Sequence, residues 1–281
     1  MRAYLATLSA AAIVLAVAAG ELRAQSTPQT APPAGPADAR ALANQVNNPA
    51  APVTLIQFRN VLLPGAEGAD GATNEFQIQP VLPIGPFPSF PILQLMKITI
   101  PFPTLPSPIG AGGFGDLQVF DLVSIKQSWG RWGFGPALVF PTASDSRLGQ
   151  GKWQAGLAVA AIYTGVKHLT AGAVLQNPIS FAGDRDRADI NNLIITPTLT
   201  YNLPDGWFAG LSDFNWTFDW KNDGAATVVL GAQIGRVFSV DTHGFALSFE
   251  AGGAVTAPNS IPRPGWILGF EFSPIFKWHI E

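Results

Sequence analysis

Apolar and polar residues alternate one for one along the C-terminal third of the chain. In 266–278, Trp266, Leu268, Phe270, Phe272, Pro274, Phe276 and Trp278 share one parity, and Ile267, Gly269, Glu271, Ser273, Ile275 and Lys277 take the other. In 245–256, Phe245, Leu247, Phe249, Ala251 and Val255 alternate with Ala246, Ser248, Glu250, Gly252 and Thr256. In 211–220, Phe214, Trp216, Phe218 and Trp220 oppose Asp213, Asn215, Thr217 and Asp219. A period of two is the signature of a β-strand with two unlike faces. These runs exceed the ~5–6 residues of an ordinary strand and suit the ~9–11 that a strand needs to cross a bilayer. The apolar parity is heavy in Trp and Phe, often near strand ends, as in the girdles of outer-membrane barrels. The other parity mixes polar residues with Gly and Ala, as a lumen would. A soluble sandwich or lipocalin-like barrel remains the alternative, but it would hide Val, Ile and Leu on its apolar face.

The pattern predicts an all-β fold, a transmembrane antiparallel up-and-down β-barrel of about 12 strands. Strands are expected near 53–61, 74–82, 93–102, 116–125, 131–140, 153–164, 168–177, 191–202, 207–219, 227–237, 245–256 and 266–278. The first and fourth alternate poorly. An even count puts both termini on the periplasmic side. Connections after odd strands (62–73, 103–115, 141–152, 178–190, 220–226 and 257–265) are then extracellular, and mostly longer than turns such as 165–167 and 203–206. Short inner turns and long outer loops are the habit of such barrels. The proline-rich 83–92 is a misfit for a short turn.

Two uncharged stretches could be mistaken for membrane helices. Phe76 to Met96 contains Pro80, Pro83, Pro86, Pro88 and Pro91, and 98–115 contains Pro101, Pro103, Pro106 and Pro108. No helix survives that proline density, and the remaining non-helical way to span lipid is a closed barrel. Residues 1–24, MRAYLATLSAAAIVLAVAAGELRA, read as a secretory signal peptide. Arg2 begins it, an apolar run follows, and Ala24 offers a small residue for cleavage. A retained N-terminal anchor is the alternative. Residues 25–40, rich in Pro and Ala, read as a flexible linker, and 41–281 as the barrel. Residues 41–52 could fold into the lumen or pair with the first strand; both readings stay open.

Composition narrows the function. The 281 residues are 12% charged, against roughly 25% in ordinary soluble domains. There are 29 Gly, 25 Pro and no Cys, so disulfides, thiolate metal sites and cysteine nucleophiles are excluded. A net charge of −3 argues against a nucleic-acid partner.

Certain segments carry a family resemblance. They are Trp132-Gly133-Phe134-Gly135-Pro136, Pro141-Thr142-Ala143, Leu148-Gly149-Gln150-Gly151-Lys152-Trp153, Phe181-Ala182-Gly183-Asp184-Arg185-Asp186-Arg187, Tyr201 and Gly206-Trp207. Asn48-Pro49-Ala50 and Gly113-Phe114-Gly115-Asp116 extend the match. Over about residues 42–278 the chain resembles the family labelled MetA-pathway of phenol degradation, whose members are often called transporters or, by misnaming, neuromedin U. The resemblance implies a bacterial outer-membrane barrel with a transport role and a link to aromatic degradation. It supplies no catalytic residues.

Charge on the lipid face is costly at mid-bilayer, so parity nominates Lys97, Asp213, Asn215, Asp219, Glu250, Glu271 and Lys277 as lumen-lining. The densest charge cluster, Asp184, Arg185, Asp186 and Arg187, falls in an outer loop, with Arg147 and Lys152 in the neighbouring one. It reads first as a solvated loop with internal ion pairs, second as a constriction or a lipopolysaccharide contact. His168, His243 and His279 are not spaced as metal ligands. His168 with Ser180 or Ser124 would suit a barrel lipid hydrolase only if strand geometry brought them together. Gly112-Gly113-Phe114-Gly115 lacks the Lys-Ser/Thr and the helix of a phosphate loop. No enzyme and no cofactor are expected. Strands 131–140, 153–164 and 168–177 offer mostly Gly, Ala, Val and Thr inward, a wall suited to a weakly polar solute such as an aromatic acid or phenol. The expected partners are that solute, outer-membrane lipid and lipopolysaccharide, and the barrel-assembly machinery. The last aromatic, Trp278, lies three positions short of the terminal aromatic that this machinery reads in many barrels.

Overall fold

The computed structural model describes residues 36–65, 71–88, 91–240, 243–258 and 265–276, all within the unit Pro33–Glu281. The signal-peptide segment 1–24, linker residues 25–35, Lys277, Trp278 and His279 lie outside the described residues. The described residues form twelve barrel strands. The first six are β1 (Thr54–Leu63), β2 (Thr73–Ile84), β3 (Leu93–Leu105), β4 (Leu117–Gln127), β5 (Gly130–Phe140) and β6 (Lys152–Tyr163). They are followed by β7 (Leu169–Gly183), β8 (Asn192–Asn202), β9 in two pieces (Trp207–Leu211 and Trp216–Asp219), β10 (Ala225–Val240), β11 (His243–Thr256) and β12 (Ile267–Phe276). Each pairs antiparallel with the next. β12 returns to β1 through Leu55↔Ile275, Phe58↔Phe272 and Leu62↔Leu268. The sheet is therefore a closed antiparallel barrel, and closure leaves no edge to cap.

Alternation sets the two faces. In β10, β11 and β12, Ile234, Phe249 and Phe270 are each about half exposed on the outside, while Glu250 and Ser273 are buried inside. Aromatic rings gather at both heights of the outer face. Trp153, Phe181, Trp220 and Trp266 ring the end with long loops, here called the rim. Tyr163, Tyr201, Trp207 and Phe276 ring the end with short turns, the base. Two such belts, with an apolar band between them, match the profile of a bilayer. At the base the Arg236 guanidinium lies 5.5 Å over the Trp207 ring.

The strands sit where alternation puts them, with three differences. β7 continues to Gly183, past Pro178, which sequence reading takes as the start of a loop. Pro178 is paired opposite Gly156, and glycine there leaves room where the backbone of β7 passes closest. β2 continues through Pro80 and Pro83 to Ile84, which shortens the misfit turn to 85–92. β9 is broken at 212–215, so the expected single strand 207–219 is two pieces.

The first described element is a helix, α1 (Pro36–Val46), which takes up the end of the proline-rich stretch. It lies across the base, inside the barrel. Ala43 is fully buried against Leu55, Phe208, Val237, Ala246 and Ile275, with Leu42 and Val46 beside it. Asn202 clamps it: the Asn47 amide donates to Asn202 Oδ1 at 2.7 Å, and Asn202 donates to Asn44 Oδ1 at 2.8 Å. The chain then crosses so that Ala50 packs against the inner wall of β3–β7, at Leu95, Leu122, Ala137, Ala158, Ala160 and Ile162. Alanines on that wall let a backbone approach closely. Of the two placements open to residues 41–52, the structure takes the lumen.

Candidate channel lumen

A cavity of about 590 Å³ runs inside the barrel, from Asn47 and Phe208 near the base to Leu63 and Thr73 near the rim. Inward residues of β1 (Gln57, Arg59, Val61) and β2 (Glu75, Gln77, Gln79) form one wall. β7 and β8 form the facing one, with Gln176, Thr196, Thr198 and Thr200. The first wall is charged; the second is uncharged, with amides and hydroxyls beside Val174.

The charged side is cross-braced. Arg59 Nη2 lies 3.1 Å from Glu250 Oε1 and donates to Glu250 Oε2 at 3.2 Å. The same oxygen accepts from the backbone N–H of Asp213 at 3.0 Å. Gln57 Nε2 donates to Glu271 Oε1 at 2.9 Å, and Ser273 Oγ donates to the same oxygen at 2.7 Å. Along β2, Gln77 donates to Glu75 and Gln79 to Gln77. Lys97 of β3 faces the cavity beside its cross-strand neighbour Phe120. Four acidic groups (Glu75, Asp213, Glu250 and Glu271) thus share the lumen with two cations, Arg59 and Lys97. The Arg59–Glu250 pair is withdrawn from bulk water; away from water the attraction between charges is stronger and an unpartnered charge far more costly.

The break in β9 shapes this wall. Residues 212–215 leave the ladder and turn inward. Ser212 N donates to Gly231 O at 3.1 Å, and Gln233 Nε2 donates to Leu211 O at 2.7 Å. On the far flank, Thr196 Oγ1 donates to Asn215 Oδ1 and Trp216 Nε1 donates to Val229 O, both at 2.7 Å. Phe214 ends up inside, 5% exposed, against Val229 and Ile267, with the Arg59 guanidinium 5.6 Å from its ring centre. This corrects the expectation that Phe214 shares the outer face with Trp216, Phe218 and Trp220. Parity is not carried across a break, and Asp213, Phe214 and Asn215 all line the cavity.

Of the nominated lumen residues, Lys97, Asp213, Asn215 and Glu271 border the cavity, and Glu250 lies buried behind Arg59. Asp219 sits at the rim, where its carboxylate accepts from Lys221 N and caps the turn into β10. Sequence reading passed over Gln57, Arg59, Glu75, Gln77, Gln79 and Phe214. The β2 residues had a usable signal, since Thr73, Glu75, Gln77 and Gln79 alternate with Asn74, Phe76, Ile78 and Pro80. In β1, Asn60 on the outer parity blurred the same signal for Gln57 and Arg59.

At the rim, Arg147, Lys152, Asp184 and Arg187 join one web. Lys152 pairs with Asp189 at 3.2 Å, and Arg187 donates to the carbonyls of Gly149 and Ser146. Asp184 N donates to Gly151 O, and its carboxylate accepts from Asp186 N. Arg147 pairs with Asp145 at 2.7 Å and reaches the Ile109 carbonyl. The Arg147 contact holds the Asp145 carboxyl well below the usual carboxylate range. Asp116 accepts from Ala143 N and Gln150 N, tying the loop after β3 to the loop after β5. Arg185 and Asp186 stay exposed. Gly112, Gly113 and Gly115 belong to the loop after β3, and Phe114 N donates to Ser144 Oγ.

His168 is at the base, edge-on to Tyr201. Ser180 is toward the rim end of the same strand and accepts from Ile190 N, while Ser124 accepts from Arg131. The histidine and Ser180 are thus held at opposite ends of β7. Among the described residues no group of three or more His, Asp or Glu converges as a metal site.

No family model matches the chain, and no curated protein does. Among solved structures it is similar to the COG4313 outer membrane channel from Pseudomonas putida F1. The TM-score is 0.58 at 13% identity, over 80% of this chain and 94% of that one. An identity so low speaks for the shared fold, a closed antiparallel barrel.

Proposed function

We propose that this barrel sits in a bacterial outer membrane and conducts small solutes through its lumen. The observation that carries the reading is the polar cavity running from base to rim inside a shell whose outer face is belted with aromatic rings. A barrel built only for structure has no need of six charged groups around an internal space, because each costs desolvation. The fold shared with an outer membrane channel supports the same reading. The signal-peptide pattern of residues 1–24 supports delivery across the inner membrane, with the assembly machinery inserting the barrel afterwards. The exposed charges of the rim web suit contact with lipopolysaccharide.

The cargo we favour is small and weakly polar, with an aromatic body. The amide and hydroxyl wall of β7 and β8 suits it, as do Phe120, Phe208 and Phe214 at the cavity surface. The resemblance to the MetA-pathway of phenol degradation family points the same way. The acidic excess of the lumen favours phenols and other neutral aromatics over aromatic acids.

A second reading is a plugged barrel without transport, and α1 across the base favours it. Single-channel recording of the refolded protein in a planar bilayer separates the two. Discrete steps that a neutral aromatic solute blocks would establish a channel for that class. Silence from a barrel shown to be folded by heat-modifiable migration would support the plugged reading.

A further inference from the structure

The inward turn of β9 is placed like a constriction, and four observations describe it. It is the one place among the described barrel strands where a strand divides and its residues leave the ladder for the lumen. It is fixed on both flanks by side-chain hydrogen bonds, through Gln233 on one side and through Asn215 and Trp216 on the other. It has a prepared seat. Gly231 and Gly252 face each other on β10 and β11, and a Cβ at position 231 would come within 2.8 Å of Ser212 Oγ. Finally, it reaches far. Phe214 starts on β9, contacts β10 and β12, and meets Arg59 of β1. It therefore spans a chord of the barrel rather than hugging its own wall.

We infer that the turn 212–215 is the constriction of the pore, and that Phe214, lying under Arg59, is the residue that sets the size of solute admitted. The inference rests on the channel reading. Gln118 and Gln176 on the cavity wall are long and flexible. Phe214 has two rotatable bonds, a rigid ring and packed neighbours, so it gives a fixed aperture. Arg59 cannot swing away to widen it, because Glu250 holds the guanidinium, and Glu250 also holds the backbone of the turn at Asp213. Ring, cation and turn form one braced unit.

The test compares wild type with Phe214→Ala, Phe214→Leu and Phe214→Trp in planar bilayers and in liposome swelling with sugars of graded size. Each variant is first shown to migrate as a folded, heat-modifiable barrel. Phe214→Ala is expected to raise conductance about two-fold or more and admit larger sugars, as widening a hydrophobic constriction does. Phe214→Leu should fall between, and Phe214→Trp should conduct less than wild type. The same series is run in the full chain lacking residues 36–50. If the plugless barrel conducts and residue 214 changes neither step size nor sugar cut-off, the constriction is elsewhere and the channel reading stands. If every variant is silent in both backgrounds, the channel reading fails and takes the inference with it. Conductance graded by the size of residue 214, in either background, supports the inference.

Discussion

At the residue scale, the lumen turns on Arg59 and Glu250. Removing one partner of a withdrawn ion pair leaves the other charge stranded, which typically costs about 3–5 kcal/mol. Arg59→Met should therefore lower the urea midpoint of the folded barrel substantially. Arg59→Met with Glu250→Met should recover much of that loss, since an apolar pair strands no charge. The acidic excess makes a second prediction. In a salt gradient the reversal potential should show a preference for K⁺ over Cl⁻, and Asp213→Asn should reduce it. No change on removing that carboxylate would mean that ions pass out of its reach. At the rim, Asp145 is held charged by Arg147. A depressed carboxyl adds stability above its unfolded value of about 3.9 that is lost only as pH falls further. The loop 141–151 should therefore resist protease equally at pH 8 and pH 5, and Arg147→Ala should remove that protection.

At the scale of elements, α1 and the broken β9 are the two departures from a plain barrel. α1 is held by apolar contacts and by two amide hydrogen bonds that converge on Asn202. Each such bond contributes roughly 0.5–1.5 kcal/mol, so Asn202→Ala should loosen the helix without unfolding the barrel. Hydrogen exchange of the α1 amides should then speed up about ten-fold, while the strands keep their protection. The strands were legible in the sequence where one parity is apolar over most of its length. That pattern is clearest in β11 and β12 and poorest in β1 and β4. The two departures were hidden for different reasons. Phe214 continues the Trp216–Phe218–Trp220 parity in the sequence, and the groups it meets inside, Val229, Ile267 and Arg59, are distant along the chain. The helix arises in a Pro- and Ala-rich stretch whose partners all come from later strands, so local pattern reads it as linker. Arg59 was masked by Asn60, which shows that one polar residue on the wrong parity can conceal a functional one.

At the scale of the whole molecule, the proposed membrane setting makes the barrel a boundary between two solvents. A charge at mid-height on the outer face should cost about 2–4 kcal/mol, and little on the inner one. Ile234→Arg, on the outer face, should destabilise the folded barrel in vesicles by that amount. Gln176→Lys, at the cavity wall, should be nearly neutral in urea titration. Similar costs for the two would contradict the assignment of faces.

The position of α1 also bears on the order of events in assembly. Its docking surface is made by Asn202 and Phe208 from β8 and β9, and by Val237, Ala246 and Ile275 from β10, β11 and β12. None of those contacts exists until the C-terminal half of the wall has been laid down. The segment that precedes the strands in the chain is therefore among the last to find its full seat.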